Sequence, residues 1–175
     1  MLINLADVFT SEGKDRRESV AFEPDRISHM GNSYKIREKS PVDLTFTNIG
    51  RGKILIRGEM RLVLEIPCDR CLEVVYTPLE LRFEQEIFAP DLDGHSLSQD
   101  EQQDFMAGYE LNVEAFVNGE ILINMPVKVL CKPDCKGICK QCGHNLNEGE
   151  CGCDTFVPDP RMAAIQDIFN AGKEV

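Results

Sequence analysis

Six of the chain's eight cysteines lie between residues 131 and 153, in a stretch that is also rich in glycine and lysine. Such a stretch is too short to bury a hydrophobic core, so it needs a cross-link or a bound metal to hold one conformation. Residues 1–7 lack the basic and long apolar regions of a secretion signal, and we therefore expect a cytoplasmic protein. In a reducing cytosol, cysteines in this number favour metal binding over disulfides.

The spacing of the cysteines is typical of zinc ligands. Cys139-Lys140-Gln141-Cys142-Gly143 has the form of a zinc knuckle, in which two thiolates close on one metal and the glycine leaves the backbone free to turn. Cys68-Asp69-Arg70-Cys71 repeats the spacing at a turn between two predicted strands. A structural zinc site uses four ligands, so eight cysteines can fill two sites with none left over.

Two groupings of these cysteines are open. The preferred one places Cys139, Cys142, Cys151 and Cys153 on one zinc, and Cys68, Cys71, Cys131 and Cys135 on a second. The rival is a single site from Cys135, Cys139, Cys142 and either Cys151 or Cys153, with Cys68 and Cys71 as bystanders. A third possibility is that Cys68 and Cys71 form a redox pair, but the strand–helix context of thioredoxin-type motifs is absent.

The rest of the chain predicts an α+β fold built on an antiparallel β-meander. Apolar and polar residues alternate from Val42 through residue 66 and again from Val74 to Phe88, with turn signals at residues 48–52. Asn112 is a good cap for a helix reaching Asn124. Residues 1–39 are mixed and polar, with an exposed stretch at 14–18. Residues 89–108 are expected to form a flexible acidic excursion, and Pro158 to open a final helix. We divide the chain into a sheet domain, residues 1–127, and a zinc-binding segment with the terminal helix, residues 128–175.

Charge limits the classes of partner. The net charge is −11, and residues 83–127 hold ten carboxylates with no lysine or arginine. This disfavours general nucleic-acid binding, which needs clustered cations. Such an acidic surface would attract a basic protein; the alternative is that it is only a solvated loop and helix face. No apolar run approaches the ~20 residues that span a bilayer, so we expect no membrane contact.

Catalytic motifs are missing from the sequence. It has no nucleophile elbow, phosphate-binding glycine loop or paired histidine motif, and His144 lies in a turn-like stretch typical of the surface. We therefore predict no enzyme and no catalytic residues. A metal-dependent RNA-processing enzyme remains an alternative, with carboxylates at Asp91, Asp93, Asp100, Glu101 and Asp104. A zinc-stabilised adaptor between proteins is the other alternative.

Between residues 40 and 170 the chain resembles the YceD-type family of large ribosomal RNA subunit accumulation proteins. The resemblance rests on Cys68-Asp69-Arg70-Cys71-Leu72, on residues 130–143, on residues 145–148 and 151–153, and on Asp159-Pro160-Arg161. It implies a role in accumulation or processing of 23S ribosomal RNA, with a basic ribosomal protein or the pre-ribosomal large subunit as partner and any RNA contact indirect. It also implies that some members keep positions like Cys68, Cys71 and Cys135 without the knuckle cysteines, which favours two separable sites.

Overall fold

The computed structural model describes residues 1–90 and 104–153 and shows antiparallel sheets with two helices, which confirms the predicted α+β class. In chain order the elements are β1 (Leu2–Asn4), α1 (Ala6–Phe9), β2 (Asp15–Val20), β3 (Arg26–His29), β4 (Asn32–Lys39), β5 (Val42–Gly50), β6 (Lys53–Pro67), β7 (Val74–Phe88), β8 (Met106–Ala107), β9 (Glu110–Asn112) and α2 (Val113–Ile123). The final helix predicted from Pro158 lies outside the described residues.

The long hairpin of β6 and β7 is the centre of the fold. The two strands pair without interruption from Lys53 opposite Phe88 to Pro67 opposite Val74. One face of β6 is buried through Met60 and Leu64, as its alternating sequence predicts. The far end of this hairpin is the turn of residues 68–73, which contains the first pair of cysteines.

The second edge of β6 is shared by two strands. β5 pairs with its first half and β4 with its second half, and β2 and β3 extend the sheet outward from β5 and β4. Where β4 gives way to β5, the Ser40 N–H donates to the Arg61 carbonyl (2.8 Å) and the Ser40 Oγ accepts from the Arg61 N–H (3.0 Å). The sheet therefore stays hydrogen-bonded to β6 across the change of strand.

A smaller sheet has the strand order β1-β9-β8, and its strand β9 leads directly into α2. The Oδ1 atom of Asn112 accepts from the Ala115 N–H (3.2 Å), so the predicted cap of this helix is confirmed. The apolar face predicted for α2 is buried, and its Phe116 ring packs edge-on against Phe83 of β7 with centroids 5.3 Å apart. Side chains of both sheets and both helices form one buried core.

Two parts of the chain are more regular than their sequence indicates. Residues 1–39, expected to be mixed and polar, contain four strands and a short helix, and the stretch expected to be exposed, residues 14–18, is largely β2, with exposed and half-buried side chains alternating. The described end of the acidic excursion includes β8, while residues 91–103 lie outside the described part. Neither described helix is long and apolar enough to cross a membrane. The division of the chain after residue 127 stays a prediction.

Candidate metal centres

The eight cysteines fall into two groups of four, and within each group all the sulfur atoms lie within 4.8 Å of one another. Centre 1 comprises Cys68, Cys71, Cys131 and Cys135; centre 2 comprises Cys139, Cys142, Cys151 and Cys153. This is the grouping preferred from the sequence. In the rival grouping Cys135 would join the knuckle, but the structure places its sulfur beside that of Cys68 and within 4.8 Å of those of Cys71 and Cys131.

Centre 1 begins at the turn that ends the long hairpin. The Leu72 N–H donates to the Cys68 carbonyl (3.0 Å), and the Cys68 N–H donates to the Glu73 carbonyl (2.8 Å). Leu72 takes a positive φ of 65°, which lets the chain reverse directly after Cys71. The turn thereby points both sulfur atoms to one side, where Cys131 and Cys135 meet them.

Hydrogen bonds hold the cysteine-rich segment against this turn. Asp69 receives the Val129 N–H on its Oδ2 (2.7 Å) and donates its own N–H to the Val129 carbonyl (2.9 Å). Arg70 donates from Nη1 to the Cys135 carbonyl (2.7 Å), and its own carbonyl accepts from the Ile138 N–H (3.1 Å). The segment and the hairpin are thus joined by protein contacts as well as by the four sulfurs.

Gly137 is required where the segment passes the hairpin turn. Its φ is +83°, and a Cβ there would lie 3.0 Å from the Arg70 carbonyl oxygen. A side chain at this position would be strained by its backbone conformation and crowded by Arg70. The glycine therefore permits the close approach that brings Cys135 to Cys68.

Centre 2 is a knuckle closed by backbone hydrogen bonds. The Gly143 N–H donates to the Cys139 carbonyl (2.9 Å), and the Cys139 N–H donates to the His144 carbonyl (2.8 Å). Gly143 has a φ of +74°, which is the conformation expected of the glycine after the second cysteine. His144 is exposed and takes part through its backbone, in agreement with its prediction as a surface residue.

The spacing of the sulfur atoms fits tetrahedral coordination. With metal–sulfur bonds of about 2.3 Å, the edge of such a tetrahedron is about 3.8 Å. The Cys68 and Cys135 sulfurs are 3.8 Å apart, and those of Cys71 and Cys131 are 3.4 Å apart. A disulfide would bring two sulfurs to about 2.05 Å, and all eight cysteines are free thiols.

Each group contains thiols whose pKa is lowered beside thiols whose pKa is raised. Burial raises the pKa of Cys68, but N–H groups of Cys71 and Arg70 directed at its sulfur outweigh burial and lower the pKa to about 6. N–H groups of Cys142 and Gln141 likewise lower the pKa of Cys139 to about 6.

The pKa of Cys135 is also lowered, chiefly by the hydrogen bond from the Asn147 side chain, whereas the pKa values of Cys71 and Cys153 shift in the opposite direction. The Glu73 N–H lowers the pKa of Cys71, yet burial and the three other sulfurs outweigh it and raise the pKa above its usual range. Hydrogen bonds with Cys142 and Cys151 raise the pKa of Cys153 to about 12. Because four close thiolates repel one another, full deprotonation needs a cation among them, and a divalent metal ion supplies that charge.

Most of the remaining sequence candidates lie outside the described residues. Of the five carboxylates considered for an enzyme, Asp104 is exposed, and the other four lie outside the described residues. Contacts around the sulfurs were missed from the sequence: Glu73, Asn145 and Asn147 bond to the sulfurs or to each other, and Asp69 bonds to the backbone of Val129. Their positions between cysteines were the available signal, since polar residues there commonly support metal ligands.

The chain is similar in sequence to a mycobacterial and to a plant protein. The chain is 24% identical to an uncharacterised protein of Mycobacterium tuberculosis over 128 residues, which is 73% of this chain and 61% of that one. It is 25% identical to a Zea mays protein named large ribosomal RNA subunit accumulation protein YCED homolog 1, chloroplastic, over 86% of this chain and 60% of that one. The chain thus spans about 60% of the length of these curated relatives.

No solved structure matches the chain. The sequence profile of the family described as large ribosomal RNA subunit accumulation protein YceD matches residues 56–169, which include most of β6, all of β7 and α2, and all eight cysteines. This match covers well over half of the chain and both candidate metal centres. The chain therefore belongs to the YceD family of large ribosomal RNA subunit accumulation proteins.

Proposed function

We propose that this protein is a non-enzymatic factor in ribosome biogenesis that promotes accumulation or processing of 23S ribosomal RNA, and that its cysteines hold two structural zinc ions. The observation that carries the proposal is the arrangement of eight free thiols as two groups of four in a member of the YceD family. Zinc is the ion chosen because soft thiolates in a tetrahedral set of four suit it.

A structural role for the zinc follows from the ligand set. Catalytic zinc keeps one position open for water or substrate and normally has histidine or carboxylate ligands. Each centre here offers four thiols, which fill the tetrahedron. Zinc at centre 1 would bind the hairpin turn to the cysteine-rich segment, and zinc at centre 2 would hold the knuckle closed.

We further propose a basic ribosomal protein or the pre-ribosomal large subunit as partner, with any RNA contact indirect and the cytoplasm as location. The acidic stretch of residues 83–127 supports a basic partner, although some of its charge is already balanced within the molecule. Glu84 pairs with Arg57 (2.6 Å), Glu86 pairs with Lys53 (3.5 Å) and Glu114 pairs with the N-terminal amine (3.0 Å). The remaining carboxylates of the stretch would attract the partner.

Metal content is the first test. Protein purified without added zinc should contain two equivalents of zinc per chain, and Cys71→Ser and Cys142→Ser should each lose one. Gly119→Ala serves as the control, since a Cβ there meets nothing within 4 Å and lies away from both centres. One equivalent in the unaltered protein refutes the two-centre proposal, and none refutes zinc altogether.

The ribosomal role is tested by depletion. Cells lacking the protein should accumulate less mature 23S relative to 16S ribosomal RNA, and the Gly119→Ala protein should restore the ratio while Cys71→Ser should not. An unchanged ratio removes this function. If the proteins that co-purify with this one include no ribosomal components, the adaptor function is favoured instead. If the purified protein cleaves a precursor transcript and the Asp104→Asn variant does not, the protein is an enzyme.

A further inference from the structure

The loop between Cys142 and Cys151 belongs to centre 2 by its position in the chain, yet its side chains contact centre 1. Asn147 donates from Nδ2 to the Cys135 sulfur (3.3 Å), and its Oδ1 accepts from the Lys136 N–H (2.9 Å). Both ends of this one amide are therefore used at the last ligand of centre 1 and the residue after it.

A second asparagine extends the contact to the hairpin. Asn145 donates from Nδ2 to the Glu73 Oε1 (2.9 Å), and its Oδ1 accepts from the N–H (3.0 Å) and the Nδ2 (2.9 Å) of Asn147. The other carboxylate oxygen of Glu73, Oε2, lies 3.6 Å from the Cys71 sulfur. The network thus begins and ends at ligands of centre 1 and passes through the loop of centre 2.

The position of this loop depends on centre 2. Two of its sulfur ligands, Cys142 and Cys151, flank the loop directly and so fix where it starts and ends. Backbone hydrogen bonds from Leu146 to the Gly137 carbonyl (2.9 Å) and from Cys139 to the His144 carbonyl (2.8 Å) set its course between those ends. A metal ion that holds the four sulfurs together would hold both asparagines in place.

We infer that centre 2 supplies the outer hydrogen bonds of centre 1, so that the two centres bind metal cooperatively, with Asn147 as the residue that couples them. This inference rests on the metal sites proposed above. Groups that hydrogen-bond to metal ligands orient them, and their loss typically lowers metal affinity by about 10–100-fold. Because coupling between two sites is reciprocal, metal at centre 1 also tightens binding at centre 2.

Cadmium NMR on the full chain tests this, since each four-sulfur centre gives its own signal and Cys71→Ser identifies the signal of centre 1. Competition with a chelator measures the affinity of each centre for cadmium. Disabling centre 2 by Cys153→Ser should weaken centre 1 by about 10–100-fold. Asn147→Asp should weaken centre 1 similarly, because it keeps the acceptor for the Lys136 N–H but places an oxygen against the Cys135 sulfur.

The double variant separates coupling from two independent defects. In the Asn147→Asp background, Cys153→Ser should cause no further loss at centre 1. The control is Asn124→Ala, whose amide bonds to the Glu120 carbonyl at the end of α2, and it should leave both affinities unchanged. Amide NMR spectra of the sheet show that each variant is folded.

Each outcome decides a different point. Equal affinity of centre 1 in the unaltered protein and in Cys153→Ser overturns the coupling and leaves both metal sites standing. A Cys153→Ser effect of full size in the Asn147→Asp background overturns the role of Asn147. Fewer than two cadmium signals from the unaltered protein overturns the proposed metal sites and the coupling together.

Discussion

Replacing Gly58 of β6 with alanine should destabilise the protein by about 1–3 kcal/mol. A Cβ at this position would lie 2.2 Å from Cε2 and 2.3 Å from Cζ of Phe83, and 2.9 Å from a methyl group of Leu44. The ring of Phe83 sits directly across from Gly58 in the hairpin and covers it. The substitution therefore forces a buried ring to move.

The magnitude follows from what the ring would lose. Overpacking in a core costs about 1–3 kcal/mol. Phe83 is also held edge-on by Phe116, and displacing it forfeits part of an aromatic contact of about 0.5–1.5 kcal/mol. Alanine recovers about 0.5–1 kcal/mol relative to glycine in a strand, because its unfolded chain is less free. The sum remains clearly destabilising.

Gly119 of α2 supplies the matched control, because a Cβ there meets nothing within 4 Å. The same glycine-to-alanine change at this helical site should stabilise the protein by about 0.5–1 kcal/mol. Urea unfolding of the metal-loaded protein measures both, and the midpoints should shift in opposite directions with equal slopes. A Gly58→Ala protein as stable as the unaltered one would show that Phe83 does not pack as described.

Three further predictions concern the centres and the helix that packs on the sheet. In the metal-free protein, Cys68 and Cys139 should titrate near pH 6, because their pKa values are lowered to about 6 from a usual 9.0. Since the pKa of each thiol is lower in the folded than in the unfolded protein, the two thiolates stabilise the fold fully above about pH 9, and this stabilisation is lost as the pH falls through 6. Ultraviolet absorbance of the thiolates follows the titration. An absorbance that stays constant near pH 6 would contradict the prediction. Asp69→Ala should lower stability by about 1–3 kcal/mol and weaken metal binding at centre 1, because the Val129 N–H loses its acceptor. Asp69→Asn should retain most of the stability and most of the metal affinity. If thermal unfolding and chelator competition show equal losses for the two variants, this contact does not have the role described. Asn112→Ala should cost about 1 kcal/mol through loss of the cap of α2, and Asn112→Asp should be nearly neutral; thermal unfolding distinguishes the two.

The sequence predicts best where the pattern is long and local. The alternation along β6 and β7 is clear enough to predict the hairpin, and Asn112 with the apolar face behind it predicts α2. The grouping of the cysteines also agrees with the preferred reading, because each pair is close in sequence and only a few combinations use all eight.

The strands before residue 40 show the limit of such patterns. β4 contributes Ile36 to the core but is otherwise largely polar, and its partner β6 lies more than twenty residues further along the chain. The strand β8 has only two residues, which is too short to show an alternation of apolar and polar side chains. β2 and β4 are specified by partners that are distant in sequence, whereas β3 and β8 pair with the next strand but are too short for local composition to reveal them. The contacts of Asn145 and Asn147 were missed because they depend on where the loop folds back.

The two four-thiol centres also affect how the whole molecule behaves in an electric field. A divalent ion with four thiolates carries a charge of about −2, whereas a metal-free centre with one ionised thiol carries about −1. The formal net charge of −11 becomes about −13 at pH 7 once Cys68 and Cys139 are ionised, and loading both centres would take it to about −15. Lys132, Lys136 and Lys140 each follow a cysteine of the centres and lie exposed beside the added charge. Metal-loaded protein would therefore migrate faster toward the anode, and its association with a basic partner would depend more steeply on salt.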